Sequence, residues 1–496
     1  MNGGLHEQLT VYGFIYRGND SVCDKGPMMF TSATEKSVPN ISSETTDASK
    51  RALRSAWWTV IVLFLAAIIS IIDRAIINIV VDPVRQDLGL VDFQISLLQG
   101  LAFGLFYATV GIPLGMVADR VSRRLLVTVG VLVWSLATIG GGFAGSFGDL
   151  FLSRLLVGLG EAALGPAAVS LIADLFPPHK RGKPLSLFLT GQAVANGLAI
   201  SLTSFIMEAA ARGAFAGVPL LDGAAPWRVA FIGCGALGLF VSALMLLTRE
   251  PPRGGRDGAA EVMSFREKIG FLRRNAGIFA PLYLGFAFCF LAAYGAAGWA
   301  PAMLTRAFGA TPGMIGTWLG PFSMGFSIAG PMIGGILIDH FARRHVAMAK
   351  LRILALAPLV AIPSALAVLA GGPVLAMFLV ASSSAVFAVL GTTTFATLQS
   401  VVPPGMRGSA VALSGLVNTL IGATLGPMLI AFATDHLFGE PAMVGYSIML
   451  VVIPALLCGV ALFALSGRAM QRQRATGGEA ARLMNATEGA RVGPYR

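Results

Sequence analysis

Twelve apolar runs, each of about twenty residues or more, constrain this chain more than any other feature of it. They fall near 56–81, 95–118, 124–146, 149–174, 184–207, 227–248, 277–304, 313–338, 347–369, 373–398, 407–433 and 444–466. About twenty helical residues cross the hydrocarbon of a bilayer. There, each backbone N–H and C=O must be satisfied within its own segment. Each run is therefore expected as a membrane-spanning helix, and the chain as an all-α integral membrane protein. Composition agrees: 12% of the 496 residues are charged, 55% are hydrophobic and the mean hydropathy is +0.75. Soluble domains carry about 25% charged residues.

The net charge of +11 raises nucleic acid as a partner, but the basic residues sit in short loops between apolar runs, and no nucleic acid is expected. Cys23, Cys234, Cys289 and Cys458 form no CxxC, and the five histidines form no HxxxH pair, so no metal site and no cofactor are expected. A phosphate loop of the form GxxxxGK[ST] is missing, which excludes an ATP-driven pump with its nucleotide domain on this chain.

The loops set an orientation. One side holds Arg120, Arg123, Arg124, Lys180, Arg181, Lys183, Arg343, Arg344, Lys350, Arg352 and Arg407; the short loops of the other hold Arg85, Arg212, Arg228 and Arg306. Positive charge favours the cytoplasm, so both termini are expected there, in the cell (inner) membrane. Residues 1–55 are polar and aperiodic and read as a disordered cytoplasmic tail, with tandem Met28 and Met29 offering a downstream start. Residues 249–276 read as a cytoplasmic linker whose FREKIGFLRR stretch forms either an interfacial helix or a solvated connection, and 467–496 as a cytoplasmic tail.

The chain repeats itself. GMVADRVSRR (Gly115 to Arg124) follows span two, and GILIDHFARR (Gly335 to Arg344) follows span eight, with Asp119 and Asp339 separated by 339 − 119 = 220 residues. PPHKRG from Pro177 and PPGMRG from Pro403 are offset by 403 − 177 = 226. Two marks in the same order at nearly the same offset imply pseudo-symmetric six-helix bundles, 56–248 and 277–466. A site between such halves is a transporter architecture.

GMVADRVSRR resembles the signature loop of the major facilitator superfamily, over about 56–466 of the chain. A narrower resemblance rests on IDRAIINIV, ISLLQGLAFGLFYATVGIPLGMVADRVSRR and LSRLLVGLGEAALGPAAVSLIADLF, in that order. Together they are similar to the Spinster family, with its Asp-Arg pair in helix one and Arg…GxGEA in helix four. The resemblance implies the major facilitator fold and export of lysolipids or sphingoid phosphates. It also implies a cytoplasmic latch between the halves from Gly115, Asp119, Arg123 and Arg124, with Arg407 as neighbour and Asp339 as second copy. Topology alone also accounts for the arginines.

A charge at mid-bilayer costs about 2.5–3.5 kcal/mol on insertion scales, so Asp73 and Arg74 of span one and Arg154 and Glu161 of span four are expected to face a cavity or a partner. Arg154 and Glu161, seven residues apart, share a face but lie about 10 Å apart along the axis. Depth counting places Asp73 between them. With spans one and four adjacent, as the resemblance implies, Asp73 and Glu161 would compete for Arg154. Asp73 and Glu161 are thus the expected proton sites and Arg154 the charge switch. Arg74 either contacts substrate or reaches outward. The alternative is a fixed ion pair that locks helix packing. Asn78, Gln99, Gln192, Asn196, Tyr294, Thr393 and Asn418 are the expected polar groups of the cavity, charged on one side and hydroxyl-bearing or apolar on the other. That asymmetry suits an amphiphile.

The resulting expectation is a monomeric, proton-coupled secondary transporter of a small amphiphilic or anionic substrate, working by alternating access. An organic-anion symporter or a drug exporter fits the same pattern. A non-transporting receptor, or a membrane enzyme acting on lipid, is the alternative of another kind. No nucleophile with its base is visible at membrane depth, and none of the residues is expected to be catalytic.

Overall fold

A computed structural model describes residues 41–118, 120–252, 264–344 and 348–489. Residues 51–496 form one compact unit, and residues 1–50 a separate one of which only 41–50 are described. Twelve described helices are long and apolar enough to cross a membrane: spans 1 to 12 are Lys50–Ile79, Asp92–Gly111, Arg123–Gly142, Phe147–Leu175, Gly182–Ala211, Pro226–Leu246, Ala276–Phe308, Pro312–Arg343, Ala349–Leu369, Pro373–Val401, Pro404–Phe438 and Pro441–Gln473. The structure extends two of the expected ends. Helix begins at Ile41, inside the stretch read as a disordered tail, and the last helix continues to Gly489. The first flank lacks apolar periodicity but also lacks Gly and Pro from Ile41 to Ser55, so the helix runs on; the last helix continues through Gly477 and Gly478.

Local chemistry places the ends. The Ser122 hydroxyl accepts from the Leu125 N–H at 3.2 Å and caps span 3, while Ser146 accepts from the Asp149 N–H at 3.3 Å and caps span 4. In the linker, FREKIGFLRR forms a helix, Phe265–Arg274, opened by a reciprocal Ser264–Glu267 capping box. Its Lys268 donates to the Ser409 hydroxyl at 2.9 Å, tying the linker to the start of span 11.

Arg123 and Arg124 meet Glu250 and other first-half groups. Glu250 accepts from the Arg124 N–H at 2.7 Å, the Arg123 Nε at 3.0 Å and the Ser122 hydroxyl at 3.0 Å. Arg123 also bonds to Asp174 and Ser170 on span 4. The expected latch across the halves is therefore not formed by these arginines. Asp119 lies outside the described residues, while Asp339 and Arg407 are exposed and enter none of the ion pairs among described residues. Gly115 lies on the helix that continues span 2 to Ala118.

The physical reason is the state of the molecule. Hydrogen bonds between described residues of the two halves lie from mid-depth to the end opposite the termini. Gln99 donates to the Gly298 carbonyl at 2.9 Å, and Ser201 to the Gly316 carbonyl at 2.7 Å. Farther out, Asp435 accepts from the Phe93 N–H at 2.7 Å, and Glu208 from the Gly313 N–H at 3.2 Å. Glycines permit the approach: a Cβ on Gly197 of span 5 would strike the Gly320 carbonyl and Met324 of span 8, and one on Gly100 would meet the Ala423 carbonyl of span 11 at 2.5 Å. Wide π-helical turns open the helices at these contacts, at Leu97–Leu101, Ile315–Leu319 and Asn418–Ala423. The first two begin 315 − 97 = 218 residues apart, close to the repeat offset read from the sequence.

The outermost contact is a clasp. Arg306 of span 7 holds Asp92 through both terminal nitrogens, at 2.6 and 2.9 Å, and Asp82 through Nε at 2.8 Å. The Asp92 side chain is fully buried. Arg306→Gln removes the ion pairs that cross between the halves and leaves Asp92, among the described residues, only Arg85 of its own half, 3.4 Å away. Losing about 1.4 kcal/mol or more of the about 3–5 kcal/mol that a fully stranded buried charge costs shifts the balance at least about tenfold toward separated halves. Nitroxides at Ala216 and Gly371, on opposite halves of that end, should then report a longer distance by pulsed electron resonance; an unchanged distribution would show that the clasp does not hold the end shut.

Glu250 yields a second expectation. Burial pushes its carboxyl up, but the bonds from the Arg124 N–H, Arg123 and Ser122 outweigh it and hold the group below the ordinary range. A depressed carboxyl stabilises above its unfolded value, and the gain is lost as pH falls through the folded one. Glu250→Gln should lower the melting temperature at neutral pH, and the gap to the unsubstituted protein should close below about pH 4.

Candidate functional site

The run LVGLGEA gives span 4 room to approach two neighbours. A Cβ on Gly158 would meet the Phe103 carbonyl of span 2 at 2.5 Å, and one on Gly160 would meet the Gly130 carbonyl of span 3 at 2.6 Å. Span 4 is then interrupted: one helix ends at Glu161 and the next starts at Leu164. Pro166 has no N–H for the Ala162 carbonyl, which accounts for the break. Glu161 thus sits at the end of a helical segment, and its side chain is fully buried.

Spans 1 and 4 do adjoin, but with different partners from those expected. Arg154 donates to the main-chain carbonyls of Asp73, at 2.7 Å, and Arg74, at 3.1 Å. A helical carbonyl has a second lone pair free for such a donor. Glu161 instead pairs with Arg74, whose Nη2 lies 2.6 Å from its Oε2. The rotation of span 1 explains the exchange. Residues 73 and 74 point about 100° apart. Arg74 faces the interface between the halves, where its guanidinium lies over Phe103, 4.3 Å from the ring centroid, and Tyr107, at 5.3 Å. Asp73 faces into the first bundle, toward Trp134 and Thr138 of span 3. It is fully buried, and among the described residues neither of its carboxylate oxygens accepts a hydrogen bond. Competition of two carboxylates for Arg154 is therefore not the arrangement in this state.

Arg74 keeps 31% of its side chain exposed against none for Glu161. It is the accessible member of the pair, and its Nε is unpartnered among the described residues. One helical turn outward, Asn78 lines a cavity between the halves together with Asn196, Ser323, Ser383 and Ser384. The rest of the lining is mainly apolar, with Ala296, Ala297, Ala300 and Met303 from span 7. The second half thus supplies hydroxyls and hydrocarbon, through different residues from those expected.

Thr393 is fully buried with its hydroxyl unpartnered, and Asn418 has a buried unpartnered Oδ1 in the π-helical turn of span 11. Gln99 is committed to the Gly298 carbonyl. Tyr294 is 37% exposed, and its ring lies tilted against Phe290, 5.9 Å between centroids. Gln192 is exposed one turn from Asn196 on span 5 but does not line the cavity. Among the described residues no group of three His, Cys, Asp or Glu is placed to hold a metal ion.

Sequence reasoning missed Arg306, Asp82 and Asp92, which looked like ordinary loop charges. It also missed Phe103 and Tyr107, whose four-residue spacing on one face of span 2 was the available signal.

Comparison with known proteins agrees with this geometry. Residues 63–427 match the model of the Major Facilitator Superfamily. An MFS-type efflux pump of Mycolicibacterium smegmatis is 28% identical over 88% of this chain and 98% of its own. Protein spinster of Drosophila melanogaster is 30% identical over 59% of this chain, and the match spans 47% of the fly protein. A crystal structure of a bacterial homologue of the human lysosomal transporter Spinster, inward-facing and unoccupied, superposes with a TM-score of 0.72 at 26% identity, covering 84% of this chain and 98% of that one. With twelve spans in two related halves and these relatives, the chain belongs to the Major Facilitator Superfamily, as a Spinster-like or efflux-type secondary transporter and not an enzyme.

Proposed function

We propose that this protein carries an amphiphilic anion, of the lysolipid or sphingoid-phosphate kind, by alternating access coupled to protons. The observation that carries the reading is the asymmetric pair: Arg74 partly open to the space between the halves, Glu161 sealed behind it. An anionic head group arriving from the termini side meets Arg74 before it meets Glu161. Once the head group takes the guanidinium, Glu161 is left in a dry site without its partner, where an ionised carboxylate is costly. Glu161 then takes a proton, so head group and proton bind together. The alkyl chain lies against the alanines and serines of the second half.

Asp73 is the second proton site. It sits on the span that Arg154 grips by its backbone, so a shift of span 1 against span 4 changes what surrounds its carboxyl. With the termini in the cytoplasm, as the loop charges favour, this state opens inward. Movement of the halves would release the Arg306 clasp and bring the GMVADRVSRR loop to span 11. The similarity to an efflux pump over nearly its full length favours a second reading, export of a hydrophobic drug through the same cavity.

Purified protein in liposomes under an imposed pH gradient separates these readings, with lysophospholipid, sphingoid phosphate, a small organic anion and a cationic drug as probes. Gradient-driven flux of the amphiphilic anions is expected. Arg74→Gln should weaken their binding roughly 10- to 100-fold, the worth of a charge-assisted bond of about 1.5–3 kcal/mol. Glu161→Gln should abolish proton uptake on binding and leave flux indifferent to the gradient. Gradient-dependent flux that survives in both Glu161→Gln and Asp73→Asn proteins would sink the coupling scheme. Transport of the drug alone, untouched by Arg74→Gln, would favour efflux.

A further inference from the structure

The second half contains a long apolar groove away from the central cavity. Span 9 packs on spans 10 and 12 but scarcely touches span 8, which leaves a channel walled by spans 8 and 9 and floored by span 10. Phe326, Ile333 and Phe341 form one wall, Leu356 and Val360 the other, and Val389 part of the floor. From Phe326 to Phe341 the helix rises about 22 Å, enough for an acyl chain to reach from the interface past the middle of a hydrocarbon core about 30 Å thick. The floor's one hydroxyl, Ser382, is already bonded to the Leu379 carbonyl at 2.7 Å. The channel therefore offers a ligand only hydrocarbon along its length.

Its mouth is different. Arg352 lines the groove at the termini side, is exposed, and enters none of the ion pairs among described residues. Arg343 and Arg344 follow at the end of span 8 on the same side. A basic mouth between membrane helices above an apolar channel suits a phosphate head group with an acyl chain below it.

The groove is also separated from the transport route. A Cβ on Gly330 of span 8 would collide with Ala388 at 2.6 Å and the Ala385 carbonyl at 2.7 Å, so spans 8 and 10 are sealed together beneath it. Lys350 fastens the start of span 9 to the Ala396 carbonyl of span 10 at 3.2 Å. We infer that the groove is a site for a resident anionic phospholipid of the bilayer, with its phosphate on Arg352 and one acyl chain along span 10, distinct from the transported molecule.

Native mass spectrometry of the full-length protein tests this with phosphatidylglycerol and phosphatidylcholine of identical chains. The anionic lipid should be retained preferentially. Arg352→Gln should weaken its retention roughly fivefold, the share of one basic residue near an anionic head group, and leave phosphatidylcholine unchanged. Ala357→Phe, which fills the channel from span 9, should reduce retention of both lipids, and Arg120→Gln, on the same side of the first half, should change neither. Equal retention of the two lipids, or indifference to Arg352→Gln, would overturn the assignment. So would competitive displacement of phosphatidylglycerol by lysophospholipid at this groove, which would make it part of the substrate path. Because Arg352 lies outside the Arg74–Glu161 pair, failure here leaves the transport scheme standing, and failure of that scheme leaves this site standing.

Discussion

The grip of Arg154 on the backbone of span 1 is the contact on which the rest of the site depends. A guanidinium at this depth has no water to satisfy it, and it spans two consecutive carbonyls, those of Asp73 and Arg74. Bonding to main-chain oxygen rather than to a carboxylate has two consequences. It holds span 1 against span 4 in this state through main-chain oxygens, which do not titrate. It also leaves both carboxyl groups free of Arg154, so one pairs with Arg74 and the other stays unpartnered. A direct Arg154–carboxylate pair would have tied helix packing to the protonation of that acid.

The two ends of the molecule handle charge in opposite ways. At the end away from the termini, acids of the first half are held by an arginine of the second, and the Asp92 side chain is wholly enclosed. At the termini side, Arg123 is satisfied within its own half by Asp174 and Glu250. A buried pair contributes little net stability, yet separating it is costly. Such a clasp therefore makes closure at one end all-or-none, while the other end stays free to part. The glycines at 100 and 197 fit that picture, since they allow the helix backbones to touch in a contact that opening would remove whole.

Much of the fold was legible because hydrocarbon leaves few options. Twelve apolar runs and the doubled GMVADRVSRR and GILIDHFARR loops fixed the number of spans and the two-half plan. Their boundaries were softer: polar helical extensions such as Ile41 onward leave no apolar pattern to read. The charged residues of the site were also legible, because each stands out against its span. Their pairing was not. Depth can be counted from a loop, but which of two adjacent residues faces a neighbour depends on a helix rotation that counting does not give. Asp73 and Arg74 differ by one residue and face different surroundings. Arg306, Asp82 and Asp92 escaped for another reason: near the ends of spans a charge is ordinary, and only the fold shows that three of them converge.

The same geometry accounts for why the cavity is lopsided. A buried ion pair needs an enclosed, rigid setting, and the first half provides one, with Glu161 at a proline-induced break and glycines packing span 4 against spans 2 and 3. A second charged wall facing it would have to be neutralised in every state of the cycle, at the cost of burying four partners instead of two. Serines and alanines on the second half avoid that cost. They also make contact without strong directional demands, so in the proposed scheme the second half would hold a substrate by contact area and the one oriented interaction would stay at Arg74.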